Sequence, residues 1–133
     1  MSRFSILLVD DEPHVRRVIR LALEREGYAV DEAGNGEQAL DKMATTFPRV
    51  LITDLSMPKM DGRTLVEAVK RLYADADLPI LIMTSMTERE ERSWVCKLQG
   101  VQFFEKPIST RRLLTYLGSY RASLDEGKAV TNA

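Results

Sequence analysis

The sequence holds one cysteine, Cys96, and one histidine, His14. A single thiol excludes an intramolecular disulfide and suits a reducing compartment. One thiol and one imidazole also leave no Cys/His cluster of the kind that holds zinc. No apolar run approaches the ~20 residues needed to cross a bilayer. The opening Met1-Ser2-Arg3-Phe4-Ser5 lacks the longer apolar region and small-residue cleavage site of a signal peptide. Neither sign of charge is in excess. Lys and Arg number 19 against 20 Asp and Glu, a net charge of −1, which gives no broad attraction for nucleic acid or an anionic membrane. A dinucleotide fingerprint is missing too, since Gly34-Asn35-Gly36 is a turn signal without the GxGxxG pattern. These absences lead us to expect a soluble, cytoplasmic protein with no direct nucleic-acid or membrane partner.

What is present fits one ordinary globular domain: 133 residues, 44% of them apolar and 29% charged. Short apolar runs alternate with helical patterns. Residues 4–9 read as a strand buried on both faces, ending at Asp10-Asp11. Pro13 opens a helix with an apolar stripe of Val15, Val18, Ile19, Ala22 and Leu23, stopped at Gly27. A more polar strand over 28–33, near an edge, precedes a helix over 36–47 with Leu40, Met43 and Phe47 inward. Residues 49–53 form a third strand ending at Asp54. A turn-rich loop follows, then a helix with Leu65, Val69 and Leu72 on one side. Residues 79–83 form a fourth strand ending at Thr84. A thinly apolar helix is expected near 87–99, its Glu88–Arg92 run reading either as a solvated face or as part of a mobile element. A fifth strand, 101–105, leads to Lys106-Pro107, and a last helix from about Ser109 carries Leu113, Leu117, Tyr120 and Leu124. We therefore divide the chain into a domain over 1–124 and a flexible polar tail over 125–133. Five strands alternating with five helices predict an α/β fold, a parallel sheet covered on both faces.

The polar residues fall at the strand ends. Asp10 and Asp11 close the first strand, Asp54 the third and Thr84 the fourth, while Lys106 follows the fifth. A parallel sheet brings all its carboxyl ends to one edge, where ligands bind at the point at which strand order reverses. Three carboxylates gathered there repel, each pair by about 1 to 4 kcal/mol at ~4 Å. A hard divalent cation with room for water, Mg²⁺, is the natural remedy. A carboxylate beside it can attack phosphorus, and Lys106 and Thr84 supply a positive charge and a hydroxyl for the phosphoryl oxygens. Asp61, directly before Gly62 and an apolar-periodic helix, reads as a helix cap. His14 falls on the outer side of the first helix.

Val9-Asp10-Asp11-Glu12, Asp54-Leu55-Ser56-Met57-Pro58 with Met60-Asp61-Gly62, Thr84-Ser85 and Lys106-Pro107 come in an order and spacing with a familiar counterpart. From residue 4 to about 122 the chain resembles the receiver domain of bacterial two-component response regulators. The resemblance implies a flavodoxin-like doubly wound sheet of order 2-1-3-4-5. It implies that Asp54 is the phosphoacceptor and that Asp11 and Asp54 bind Mg²⁺ directly. Asp10 would act largely through a coordinated water, and the Ser56 backbone carbonyl would be a further ligand. Thr84 and Lys106 would hold the phosphoryl oxygens, and the Lys106–Pro107 bond would be cis. Phe103, three positions before the lysine, would turn inward on phosphorylation. Phe104 points to the other face of a regular strand, so a one-residue irregularity would exchange the two. Met86 is apolar and cannot hydrogen-bond an attacking water, which implies slow loss of the phosphoryl group.

The implied partners are a sensor histidine kinase or a histidine phosphotransfer protein as donor, and a downstream protein target. The target would be reached through the surface of the fourth helix, fifth strand and fifth helix. A homodimer formed on phosphorylation stays open. With no output domain in the sequence, the chain reads as a single-domain regulator of a phosphorelay, not as an enzyme beyond self-phosphorylation and slow self-dephosphorylation. Two other classes compete. A Mg²⁺-dependent phosphohydrolase with an aspartate nucleophile typically carries a DxD-type loop and a cap, and Asp10-Asp11-Glu12-Pro13 lacks the first while little chain is left for the second. A receiver-like module that is never phosphorylated would usually have lost an acidic residue, Thr84 or Lys106, and all are present.

Overall fold

Apolar runs too short for helices pair as strands, and the stripes between them cover the sheet. The computed structural model describes residues 4–55, 57, 60–84 and 100–132, the side chains of 125–132 excepted. The strands are β1 (Ser5–Val9), β2 (Ala29–Ala33), β3 (Val50–Asp54), β4 (Ile80–Thr84) and β5 (Val101–Glu105). The described helices are α1 (Pro13–Arg25), α2 (Gly36–Thr45), α3 (Gly62–Leu72) and α4 (Thr110–Asn132). The strands form one sheet in the order β2-β1-β3-β4-β5, every pair parallel. β3 and β4 are buried along their whole length, which is why their sequences are unbroken apolar runs instead of alternations. The edge strands β2 and β5 keep Asp31, Glu32, Gln102 and Glu105 toward water or partly so.

Alternation along each strand builds two cores. Leu7, Val9, Leu51, Ile80 and Ile82 pack on one face with Ala39, Met43, Leu65, Val66 and Val69. Ile6, Leu8, Ile52, Leu81 and Met83 pack on the other with Ile19, Leu23, Leu113 and Leu117. β5 pairs without interruption, Ile82 opposite Phe103 and Met83 opposite Phe104. The two phenyl rings therefore go to opposite faces, Phe103 against the first core and Phe104 against the second.

The helix ends carry their own chemistry. Asn35 caps α2, its Oδ1 accepting from Gln38 N at 2.9 Å, and Gln38 Oε1 accepts from Gly34 N at 2.8 Å. Asp61 caps α3 through Thr64 N at 2.8 Å. Gly27, at φ +91°, ends α1 in the left-handed region that glycine enters freely.

Three side chains assigned to inward stripes lie elsewhere. Val18 is 61% exposed, because it is rotated by about 100° from its buried neighbour Ile19. Leu72, the last residue of α3, is 59% exposed, and Tyr73 packs against the first core in its place. Phe47 lies beyond the end of α2 and meets Tyr73 edge-to-face, ring centroids 4.8 Å apart. α4 runs on to Asn132. The helix expected near 87–99 lies outside the described residues. Among the described residues no helix is long and apolar enough to cross a membrane.

Leu65 is fully buried in the first core. Leu65→Ala should lower unfolding free energy by about 2–5 kcal/mol, whereas Leu72→Ala should change it by no more than ~0.5 kcal/mol. Urea denaturation of the two variants checks this; equal losses would mean that Leu72, too, is a core residue.

Candidate functional site at the carboxyl edge of the sheet

The carboxyl ends of β1, β3 and β4 gather the polar residues singled out in the sequence. Asp10 follows β1, donates its backbone N–H to Ala33 O at 3.1 Å, and is 0% exposed. Asp54 is the last residue of β3 and is buried, whereas Asp11 is exposed. Asp10, Asp11 and Asp54 each offer an oxygen within 4.8 Å of the others. Lys106 Nζ lies 3.1 Å from Asp54 Oδ1 and 3.5 Å from Asp10 Oδ2. Thr84 is buried at the end of β4, and its carbonyl accepts from Lys106 N at 2.8 Å. That bond ties the lysine's backbone to the neighbouring strand end. The Lys106–Pro107 peptide bond is cis. Phe103 is partly buried within β5, three residues before the lysine. Ser56 and Met86 lie outside the described residues.

A tight backbone turn holds the Asp54 end of the site. Leu55 N donates to Met83 O at 3.0 Å, and Gly62 N donates to Leu55 O at 2.8 Å. A Cβ on Gly62 would collide with Asp54 O and come within 2.8 Å of Leu55 Cα. Only glycine lets α3 begin so close to the strand it has just left. In sequence this residue looks like any turn glycine. The close approach depends on where the chain returns.

The electrostatics are those of crowded like charges with one counter-charge. Burial pushes the Asp54 carboxyl up, and the Asp10 charge adds to this, while Lys106 and the Leu55 N–H pull it down without reversing it. Burial likewise raises Asp10 against the Glu12 N–H and Lys106. For Lys106 burial acts downward, but Asp54 and Asp10 outweigh it and the ammonium is held above its ordinary value. Asp10 Oδ1 accepts from Glu12 N at 2.8 Å, while Oδ2 is buried with no hydrogen-bond partner. Three carboxylates that can bring oxygens this close are suited to a divalent cation, and the all-oxygen donor set suits a hard one.

Residues 6–118 match the model of the response regulator receiver domain. An uncharacterised 14.6 kDa protein of Leptolyngbya boryana is 31% identical over 120 residues, covering 90% of this chain and 92% of that one. The transcriptional regulatory protein ResD of Bacillus subtilis is 35% identical over 110 residues, 83% of this chain but 45% of that protein. The chain thus spans about half or less of several curated relatives it matches. Among solved structures, the chemotaxis protein CheY4 of Vibrio cholerae superposes with a TM-score of 0.81 at 30% identity, covering 89% of this chain and 98% of that one. The N-terminal domain of a Wolinella succinogenes protein superposes with a TM-score of 0.84 at 26% identity, covering 94% and 98%.

Because the Asp54 and Asp10 carboxyls are raised from 3.8, folding favours their protonated forms. That stabilisation is complete below 3.8 and is lost as the pH rises through their folded values. Without divalent cations at pH 7, Asp54→Asn should melt higher than the parent by roughly 3–6 °C. The gain should shrink as the pH falls through the raised folded value toward 3.8 and be gone below it. Calorimetric melts across that range check the sign; a lower melting temperature for the variant at pH 7 would refute it.

Proposed function

The chain belongs to the response regulator receiver family of two-component signalling, and on that premise we propose that Asp54 is its phosphoacceptor. The donor is the phosphohistidine of a sensor histidine kinase or of a histidine phosphotransfer protein. An Asp54 carboxylate oxygen attacks phosphorus, the phosphorus–nitrogen bond breaks, an acyl phosphate forms, and the imidazole leaves with its donor. The observation that carries this reading is the Lys106 ammonium, 3.1 Å from Asp54 Oδ1 and 3.5 Å from Asp10 Oδ2. Such transfer needs positioning and charge neutralisation more than covalent chemistry.

Mg²⁺ is the cation the oxygen donors suit best; Asp11 and Asp54 would hold it directly and Asp10 largely through a water, with the Ser56 carbonyl as a further ligand. When bound, it offsets the carboxylate repulsion and neutralises charge on the transferring phosphoryl group. Lys106 would hold the group by its positive charge, and the Thr84 hydroxyl would donate to one of its oxygens. Phe103 then turns inward, altering the surface of β5, α4 and the segment before Gly100. A downstream protein reads that surface. The domain is a switch whose own chemistry is limited to self-phosphorylation and slow self-dephosphorylation, with apolar Met86 offering no hydrogen bond to an attacking water. We place this exchange in the cytoplasm, where kinase and target meet it by diffusion.

Incubation with Mg²⁺ and acetyl phosphate or phosphoramidate should add the mass of one phosphoryl group to the intact protein. Asp54→Asn should add none, and the group should persist for minutes or longer. Equal labelling of the variant would end the assignment of Asp54, and decay within seconds would end the slow-hydrolysis reading.

A further inference from the structure

Asp10 is held by more than its strand. Arg16, on α1, donates from Nη1 to the Asp10 carbonyl oxygen at 2.6 Å and from Nε to Glu32 Oε1 at 3.2 Å. The second Glu32 oxygen accepts from Arg20 Nη1 at 2.7 Å, and Arg20 Nε lies 3.6 Å from Glu24. Glu32 sits on β2, in register with Leu8 of β1. One guanidinium therefore joins the helix, the edge strand and the turn that presents Asp10. It also reaches the next turn, since its Nη1 is 3.6 Å from where a Cβ on Gly34 would stand. The Arg16 side chain is only 20% exposed, so this is not a solvated surface pair of the kind that contributes little.

The bonding of Asp10 shows what this achieves. Its N–H is taken by Ala33 O, its carbonyl by Arg16 and its Oδ1 by Glu12 N. Oδ2 makes no hydrogen bond and faces the Lys106 ammonium 3.5 Å away, while the other three bonds fix how the residue is presented. We propose that Arg16, clamped by Glu32 and Arg20, is a positioning residue that aims the Asp10 carboxylate, and with it the Asp10-Asp11 pair, at the cation. This rests on the reading of the site as a Mg²⁺ centre. Outer groups that orient ligands commonly change metal affinity ten- to a hundredfold. The competing role is that of an ion-pair ladder that only fastens α1 to β2, and the two are separable.

The test is Mg²⁺ affinity, followed through the amide shifts of Asp11 and Glu12 during titration, with a melting curve for each protein. Arg16→Ala should weaken Mg²⁺ about tenfold while the protein remains folded. Arg16→Lys should recover part of the loss, since an ammonium can reach the carbonyl but cannot fork to Glu32 as well. Should Arg16→Ala fail to fold, Glu32→Gln, which keeps an acceptor oxygen for only one of the two arginines and sets an amide N–H against the other, carries the measurement and should shift affinity in the same direction. A lowered melting temperature with Mg²⁺ affinity within about twofold of the parent would overturn the proposal in favour of the ladder. A parent protein that binds no Mg²⁺ would remove the metal reading itself, an outcome seen before any variant is made.

Discussion

Two buried carboxylates facing one ammonium set the terms for this molecule. Asp10 and Asp54 are kept from water; the Asp10 charge adds to the cost of ionising Asp54, and the Asp11 charge to that of Asp10. Lys106 offsets part of that cost and is itself held in its charged form by them. An arrangement so unfavourable to an isolated chain survives because the sheet around it is almost wholly apolar and firmly paired. β3 and β4 are fully buried, and the polar residues follow at once where the strands stop. The stability of the centre is spent on an edge where added positive charge is strongly favoured.

The surrounding structure keeps that edge in shape. Gly62 lets α3 start against Asp54 itself. Gly36 N donates to Met60 O at 3.3 Å, and a Cβ on Gly36 would press on the Met60 side chain. The loop after Asp54 is thereby joined to the start of α2. On the far side of β1, Arg16 and Glu32 brace Asp10. Each carboxylate is thus secured by a different helix, and the site is a meeting of separately anchored parts.

Much of this was legible in the sequence for a simple reason. A strand buried on both faces has to be a continuous apolar run, so the Asp, Thr and Lys residues that end those runs stand out. The parallel topology then brings them together. Side-chain orientation was less legible. The periodicity of α3 placed Leu72 beside Leu65 and Val69 but did not reveal that Tyr73 would take its place in the core. Phe47 was misassigned because periodicity gives angle but not helix end, and Val18 because the apolar stripe of α1 was drawn one residue too wide. Arg16 was invisible for a deeper reason. On a helix rich in arginine it looks like surface charge, and its role exists only where the Asp10 carbonyl happens to lie.

The charges of β2 have a consequence beyond the site. An outermost strand exposes unpaired backbone groups along one side, an invitation to pair with another molecule's strand. Here Asp31 holds Lys42 at 2.8 Å and Glu32 is engaged by two arginines, so charge lies along that margin. The same glutamate that holds Arg16 thereby adds, with Asp31, to the charge that discourages another strand from pairing at this edge.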